Sequence, residues 1–264
     1  MRILRRFAIG FLLVVSLSSV APQIFTPSSY DTQHRRQPNE APGPTFLLGT
    51  DDLGRDRFAR LLYGARTSLL LAPAAALLAT AIAAIAGVVA ASITELQRPL
   101  FYAVDVIIST PLLFLLLVVR ALLPLDTSAI ISVSILFALL GLLGWASGVR
   151  LFAAATQRLA DSDFTIQAQA SGCPPSRLIL MQFLPGLIPT MFAQFCVFVP
   201  GFVMAEANLS MLGLGVSEPL PSLGNLMSDL LNYSAVLEQP WLLAPAILLF
   251  GITGSLHLLV PKVD

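Results

Sequence analysis

Residues 68–91 read SLLLAPAAALLATAIAAIAGVVAA, with no acidic or basic side chain among them. About 20 consecutive apolar residues in a helix cross a bilayer core, and this run is long enough. It does not alternate. Leu69-Leu70-Leu71 and Ala81-Ile82-Ala83-Ala84-Ile85-Ala86 would put apolar side chains on both faces of a strand, whereas a membrane barrel alternates over segments of about ten residues. The stretch is read as a membrane-spanning helix.

Five more runs of this kind lie outward from it, at 7–25, 100–123 (with Asp105 and Arg120 near its two ends), 128–149, 180–205 and 241–260. The chain is 56% hydrophobic and only 11% charged, against about a quarter charged in soluble domains. The fold class is therefore an all-α polytopic membrane protein with about six transmembrane helices, in contact with lipid. A net charge of zero supplies no basic field for nucleic acid. Cys173 and Cys196 stand apart, without a CxxC or a His companion, so both are read as free thiols and no metal site is indicated.

The N-terminus, Met1-Arg2-Ile3-Leu4-Arg5-Arg6 before the first apolar run, resembles a signal peptide. Its best cleavage signal, Ser19-Val20-Ala21, is followed at once by Pro22, so an uncleaved first helix is expected. Lys and Arg in short loops mark the cytoplasmic side. With the N-terminus inside, that side receives Arg2, Arg5, Arg6, Arg98, Arg150, Arg158, Arg177 and Lys262. The connection 206–240 holds Glu206, Glu218, Asp229 and Glu238 and no basic residue, which suits the outer face. Both termini are then cytoplasmic. Arg35, Arg36, Arg55, Arg57, Arg60 and Arg66 run against the rule, but in a long translocated segment, where it is weak.

Between the spans, residues 26–45 read as a polar linker, and 51–66 as an amphipathic helix on the outer surface, from the spacing of Leu53, Phe58, Leu61, Leu62 and Tyr63. Residues 151–179 form a polar, partly helical cytoplasmic segment broken by Gly172 and Pro174-Pro175. Residues 1–67 are thus read as one unit, a first helix with outer linker and amphipathic segment, and 68–264 as the main membrane domain. Asp105, inside the third run, needs a partner; Arg98, two helical turns earlier, is the expected one, and contact with a substrate is the alternative. Glu206, near the outer end of the fifth run, is read as either a solvated interfacial charge or a pathway group.

Three stretches resemble the permease subunits of peptide and nickel ABC importers, in particular the second of their two permease chains. They are Leu48-Gly49-Thr50-Asp51-Asp52-Leu53-Gly54-Arg55-Asp56 leading to Arg60-Leu61-Leu62-Tyr63-Gly64-Ala65-Arg66-Thr67-Ser68-Leu69, then Ala205-Glu206-Ala207-Asn208-Leu209-Ser210-Met211-Leu212-Gly213-Leu214-Gly215-Val216 with Pro219 and Pro221-Ser222-Leu223-Gly224-Asn225-Leu226-Met227, and Gly172 with Leu184-Pro185. The resemblance implies a type I ABC importer permease fold over 68–264 in a prokaryotic plasma (inner) membrane. It also implies one half of a translocation path for peptides or related small solutes, nickel chelates included. The implied partners are a homologous second permease, ABC ATPase subunits and an extracytoplasmic substrate-binding protein.

On that resemblance Phe164, Gln167, Ala168, Gly172, Leu184 and Pro185 belong to the loop that couples to the ATPase; the plain alternative is a connecting loop. Glu206, Ser210, Gly213 and Gly215 belong to a gate or path, with 210–215 able to re-enter as a half-helix; the plain alternative is a packed surface cap. Two features depart from the family. Its Glu-Ala-Ala stands here as Ile166-Gln167-Ala168, and its charged tail is replaced by residues 261–264. A divergent or degenerate permease-like scaffold, or a membrane enzyme without transport activity, is the alternative reading. No nucleophile–base pair or HExxH helix is present, so no catalytic residue is assigned. No Gly-x4-Gly-Lys-Ser/Thr loop occurs, so ATP is expected to be hydrolysed by a partner, with no cofactor in this chain.

Overall fold

The computed structural model describes residues 2–122, 128–212, 215–216 and 218–260. Gly213 and the tail at 261–264 lie outside these. The helices are α1 (Arg2–Val20), α2 (Arg57–Ser92), α3 (Thr94–Ser109), α4 (Leu112–Leu122), α5 (Ala129–Gly144), α6 (Ala146–Ala160), α7 (Asp163–Ala170), α8 (Pro175–Leu178), α9 (Leu184–Met211), α10 (Leu223–Met227), α11 (Tyr233–Glu238) and α12 (Ala244–Leu259). A π-helical turn, Ile179–Phe183, joins α8 to α9. Among the described residues five helical stretches are long and apolar enough to cross a membrane, or six if the bent pair α3–α4 is one span. The all-α, six-span reading holds.

Its details change in three places. The third run is broken: α3 and α4 meet at 75°. Pro111 has no N–H and disfavours helical backbone at the residue before it, and Thr110 is accordingly extended (φ −83°, ψ 122°). The separate surface helix expected over 51–66 is not formed. From Arg57 that segment is the start of α2, one helix of 36 residues, about 54 Å long at 1.5 Å per residue. Asp56 starts it, its Oδ1 accepting from the Phe58 N–H at 2.9 Å. Finally, the fourth span does not stop at 149, because α6 carries it on to Ala160.

Lipid tails are as apolar as leucine, so helices associate in a bilayer largely through close van der Waals contact between small residues. α2 fits that requirement and forms the centre of the bundle. Ala72, Ala75, Ala76, Ala79, Ala83 and Ala84 are buried along it. A Cβ on Gly141 of α5 would lie 3.0 Å from the Ala75 carbonyl, and one on Gly87 would lie 2.4 Å from the Phe152 Cβ of α6. Phe137, Leu140, Val199, Phe202, Leu249 and Ile252 fill the larger core around α2. α1 lies against α12, where Phe11 covers Gly251 and Arg5 donates to the carbonyls of Leu258 (3.1 Å) and Val260 (3.0 Å) at the helix end.

Candidate functional site

At the N-terminal end of α2 the chain builds a folded cap rather than a slack linker. Asp51 Oδ1 accepts from the N–H groups of Leu53 (3.0 Å) and Arg55 (2.7 Å), closing a tight loop. Gly49 and Gly54 both have left-handed backbone, φ +69° and +73°, and a Cβ on either would meet a carbonyl oxygen, of Glu40 at 2.2 Å or of His34 at 2.3 Å. Only glycine fits both demands.

Two guanidiniums from this cap and the first turn of α2 grip one carboxylate of the 206–240 connection. Arg55 Nη1 reaches Glu218 Oε2 at 2.6 Å and Arg60 Nη2 reaches Oε1 at 2.7 Å, the arginine side chains being 10% and 5% exposed against 53% for Glu218. Arg57 pairs with Asp229 at 2.8 Å. Burial opposes ionisation of Glu218, but the hydrogen bond and charge of Arg60, then those of Arg55, outweigh it and hold its carboxyl below the usual value. Arg55 is held above its usual value: burial pulls it down, and the hydrogen bond to Asp51 with the charges of Glu218 and Asp51 more than offset that. Three arginines that ran against the basic-residue rule are thus matched by the acidic connection.

Glu206 is not a solvated charge. It is fully buried in the last turns of α9, where Oε1 accepts from Ser210 Oγ at 2.7 Å and Ser222 Oγ at 2.6 Å. Ser222 also caps α10 by accepting from the Asn225 N–H at 3.0 Å, and the Leu223 N–H donates to Ser68 Oγ of α2 at 3.2 Å. Glu206 therefore seats α10 across the ends of α9 and α2. Of the expected half-helix at 210–215, residues 213 and 214 lie outside the described residues; Ser210 belongs to α9, and Gly215 lies against it, a Cβ there falling 2.5 Å from Ser210 Cα. Ser222 and Gly224, which complete the seat, were not singled out as site residues, because nothing in their spacing marks a loop that returns over the helix.

At the other end of α2, α7 follows α6. Thr165 is 1% exposed and its Oγ1 donates to the Leu159 carbonyl at 2.7 Å, pinning α7 to the end of α6. Phe164, Ile166 and Gln167 remain exposed and Ala168 half-buried. Gly172 closes the helix in a Schellman arrangement, with the Cys173 N–H on the Ala168 carbonyl at 3.0 Å and the Gly172 N–H on Gln169 at 2.9 Å. Its φ is +79°, with open space around it, so the demand for glycine is one of backbone handedness, not of crowding. Leu184 and Pro185 are exposed on a different helix, at the start of α9.

Asp105 does not pair with Arg98. Its Oδ1 accepts from Arg150 Nη2 of α6, and the Arg150 guanidinium lies 5.6 Å from the centre of the Phe101 ring. Two helical turns separate Arg98 from Asp105 by about 10 Å, whereas α6 packs beside α3. Both free cysteines are confirmed.

A helical bundle with a charged, folded cap at one end, a tethered but outward-facing short helix at the other and long apolar spans between defines a polytopic membrane protein. Residues 79–261 match the family described as binding-protein-dependent transport system inner membrane component, and the chain belongs to that family: it is an ABC importer permease subunit. It is 29% identical to the oligopeptide transport system permease protein OppC of Bacillus subtilis over 87% of this chain and 72% of that one. It is 28% identical to the OppC of Mycobacterium tuberculosis over 92% of this chain and 82% of that one.

Proposed function

We propose that this chain forms half of a path for peptides across a prokaryotic inner membrane. A homologous permease completes the path, an extracytoplasmic binding protein delivers to the cap of residues 22–56 and the 206–240 connection, and ATPases dock on α7. ATP is hydrolysed by those partners, and this chain needs no cofactor of its own. Both termini are cytoplasmic. The observation that carries the reading is α7: a buried Thr165 fixes the helix while Phe164 and Ile166 (66% and 53% exposed) stand free, as a docking element requires. The likeness to oligopeptide permeases over most of the chain supports peptide as cargo.

Purification in mild detergent is expected to recover a second permease of similar size and an ATPase with this chain. Recovery of the chain alone, under conditions that keep related complexes whole, would count against the reading. Ile166 stands where the family carries an acid, so an apolar contact has replaced a polar one. Ile166→Asp would bury an unpaired charge in that contact, at a cost of at least ~1.4 kcal/mol, about tenfold in association. ATPase retention and peptide uptake, normalised to membrane abundance, should fall together. Uptake equal to wild type would show that the loop is not the docking element.

Orientation is tested separately. In a cysteine-free background, Asn232→Cys should react with an impermeant thiol reagent in intact cells and Ser176→Cys should not. The reverse pattern would invert the assignment.

A further inference from the structure

Asp105 stands inside the third apolar run, where an ionisable side chain facing lipid is costly, and it pairs with Arg150 of α6. Asp105 lies about 8 Å along α3 from Leu100, where the apolar run begins, at 1.5 Å per residue. It is about 10 Å further in than the nearest charged residue toward that end, Arg98. Yet the two side chains are 50% and 54% exposed in the single chain. Ionisable groups within membrane spans face the interior of a bundle or a water-filled cavity, so this face is covered by something other than lipid.

The residues in register with the pair say what. On α3 the exposed side chains Tyr102, Asp105 and Ser109 follow one another at helical spacing, and on α6 so do Ser147, Arg150, Ala154 and Gln157. The α6 stripe is polar or small apart from its flank Leu151, and the α3 stripe carries Val106 as its exposed apolar flank. The exposed face of α12, by contrast, shows Ile247 and Phe250 (68% and 71%), the composition lipid demands. The break at Thr110-Pro111 ends the α3 stripe, where a helix turning by 75° is tolerated only against protein or water.

We infer that these two stripes line the water-filled translocation path and that Asp105 and Arg150 are the contacts for a solute carrying both an ammonium and a carboxylate, the first on Asp105 and the second on Arg150. The inference rests on the permease reading above. A self-neutralising pair with half of its surface free can exchange its internal contact for two contacts to a zwitterion without leaving either charge unpaired, which a lone charge at this depth could not do.

The test uses the assembled transporter with Cys173 and Cys196 replaced by Ala. Asp105→Cys, Ser147→Cys and Gln157→Cys should each react with a charged, water-soluble methanethiosulfonate, and Phe250→Cys should not. Millimolar trialanine should slow the reaction at Ser147→Cys, which keeps both charges, severalfold relative to N-acetyl-trialanine amide, which has no charged termini. Asp105→Asn and Arg150→Gln should lower trialanine uptake about tenfold or more at unchanged membrane abundance and ATPase retention, a loss typical of one buried charged contact. Absence of labelling at the three stripe positions would make this face a dry contact with the partner permease and overturn the path assignment. Labelling without selective protection by trialanine would overturn the solute contact. The labelling needs no uptake, so a wild-type transporter that moves no peptide would refute the cargo proposed above while leaving the path assignment to be decided by the reagent.

Discussion

Gly87→Leu is expected to remove the folded chain from the membrane, with abundance after mild-detergent extraction falling tenfold or more, an effect of the size produced by severe overpacking at a helix contact. A Cβ at position 87 would stand 2.4 Å from Phe152 Cβ, 2.8 Å from the Ala153 nitrogen and 2.9 Å from the Val149 carbonyl oxygen. Two of these three are backbone atoms of α6, so no rotamer change relieves them and the helices must separate. That contact is the floor of the smaller core formed by Ala83, Val88, Val104, Val149 and Phe152. Even Gly87→Ala should cost ~1–3 kcal/mol and lower the melting temperature measured by fluorescence-detected gel filtration. Gly254→Ala, with nothing within 4 Å of the added carbon, serves as the control. Equal melting for the two variants would mean that α2 and α6 do not meet as described.

The spans were legible because lipid imposes the same rule on every crossing: enough consecutive apolar residues, and no unsatisfied backbone. Helix ends were not. Outside the bilayer apolarity stops reporting helix, so the first turns of α2 (Arg57 to Thr67) and the last of α6 (to Ala160) read as surface segments although the backbone continues unbroken. Helical register suggested Arg98 for Asp105, and the actual partner came from a helix 45 positions away; only packing brings those two together. The outer motif around Asp51-Asp52-Leu53-Gly54-Arg55 was visible as a pattern, but its physical purpose, a rigid loop that aims Arg55 at Glu218, required the position of a loop distant in sequence. The burial of Glu206 was hidden for the same reason. Its depth along α9 favours water, and the return of residues 222–227 over the helix end takes that water away.

That return gives the second large effect. Glu206→Ala leaves the Ser210 and Ser222 hydroxyls without their acceptor inside a buried seat, at ~1–3 kcal/mol for each unsatisfied group. Gly224→Ala attacks the same seat sterically, since its Cβ would lie 2.6 Å from Ala207 Cα and 2.6 Å from Glu206 Oε2. Both should lift α10 from α9 and α2. Leu223, fully buried now, is the reporter: in a cysteine-free background Leu223→Cys should be unreactive to an impermeant thiol reagent, and either second change should make it reactive. Glu206→Gln keeps an oxygen for both serines, so it should expose Leu223→Cys far less than Glu206→Ala does. A role for the carboxylate as a charge presented to solvent or to a partner predicts another ordering. Glu206→Gln and Glu206→Ala would then impair uptake alike, with Leu223→Cys protected in both, and the seat would be wrong. Should the seat hold, α10 moves as one piece with the ends of α9 and α2. Because α2 runs unbroken to the contact with α6 that carries α7, a displacement of the 206–240 connection then has a continuous helical route to the surface that carries α7.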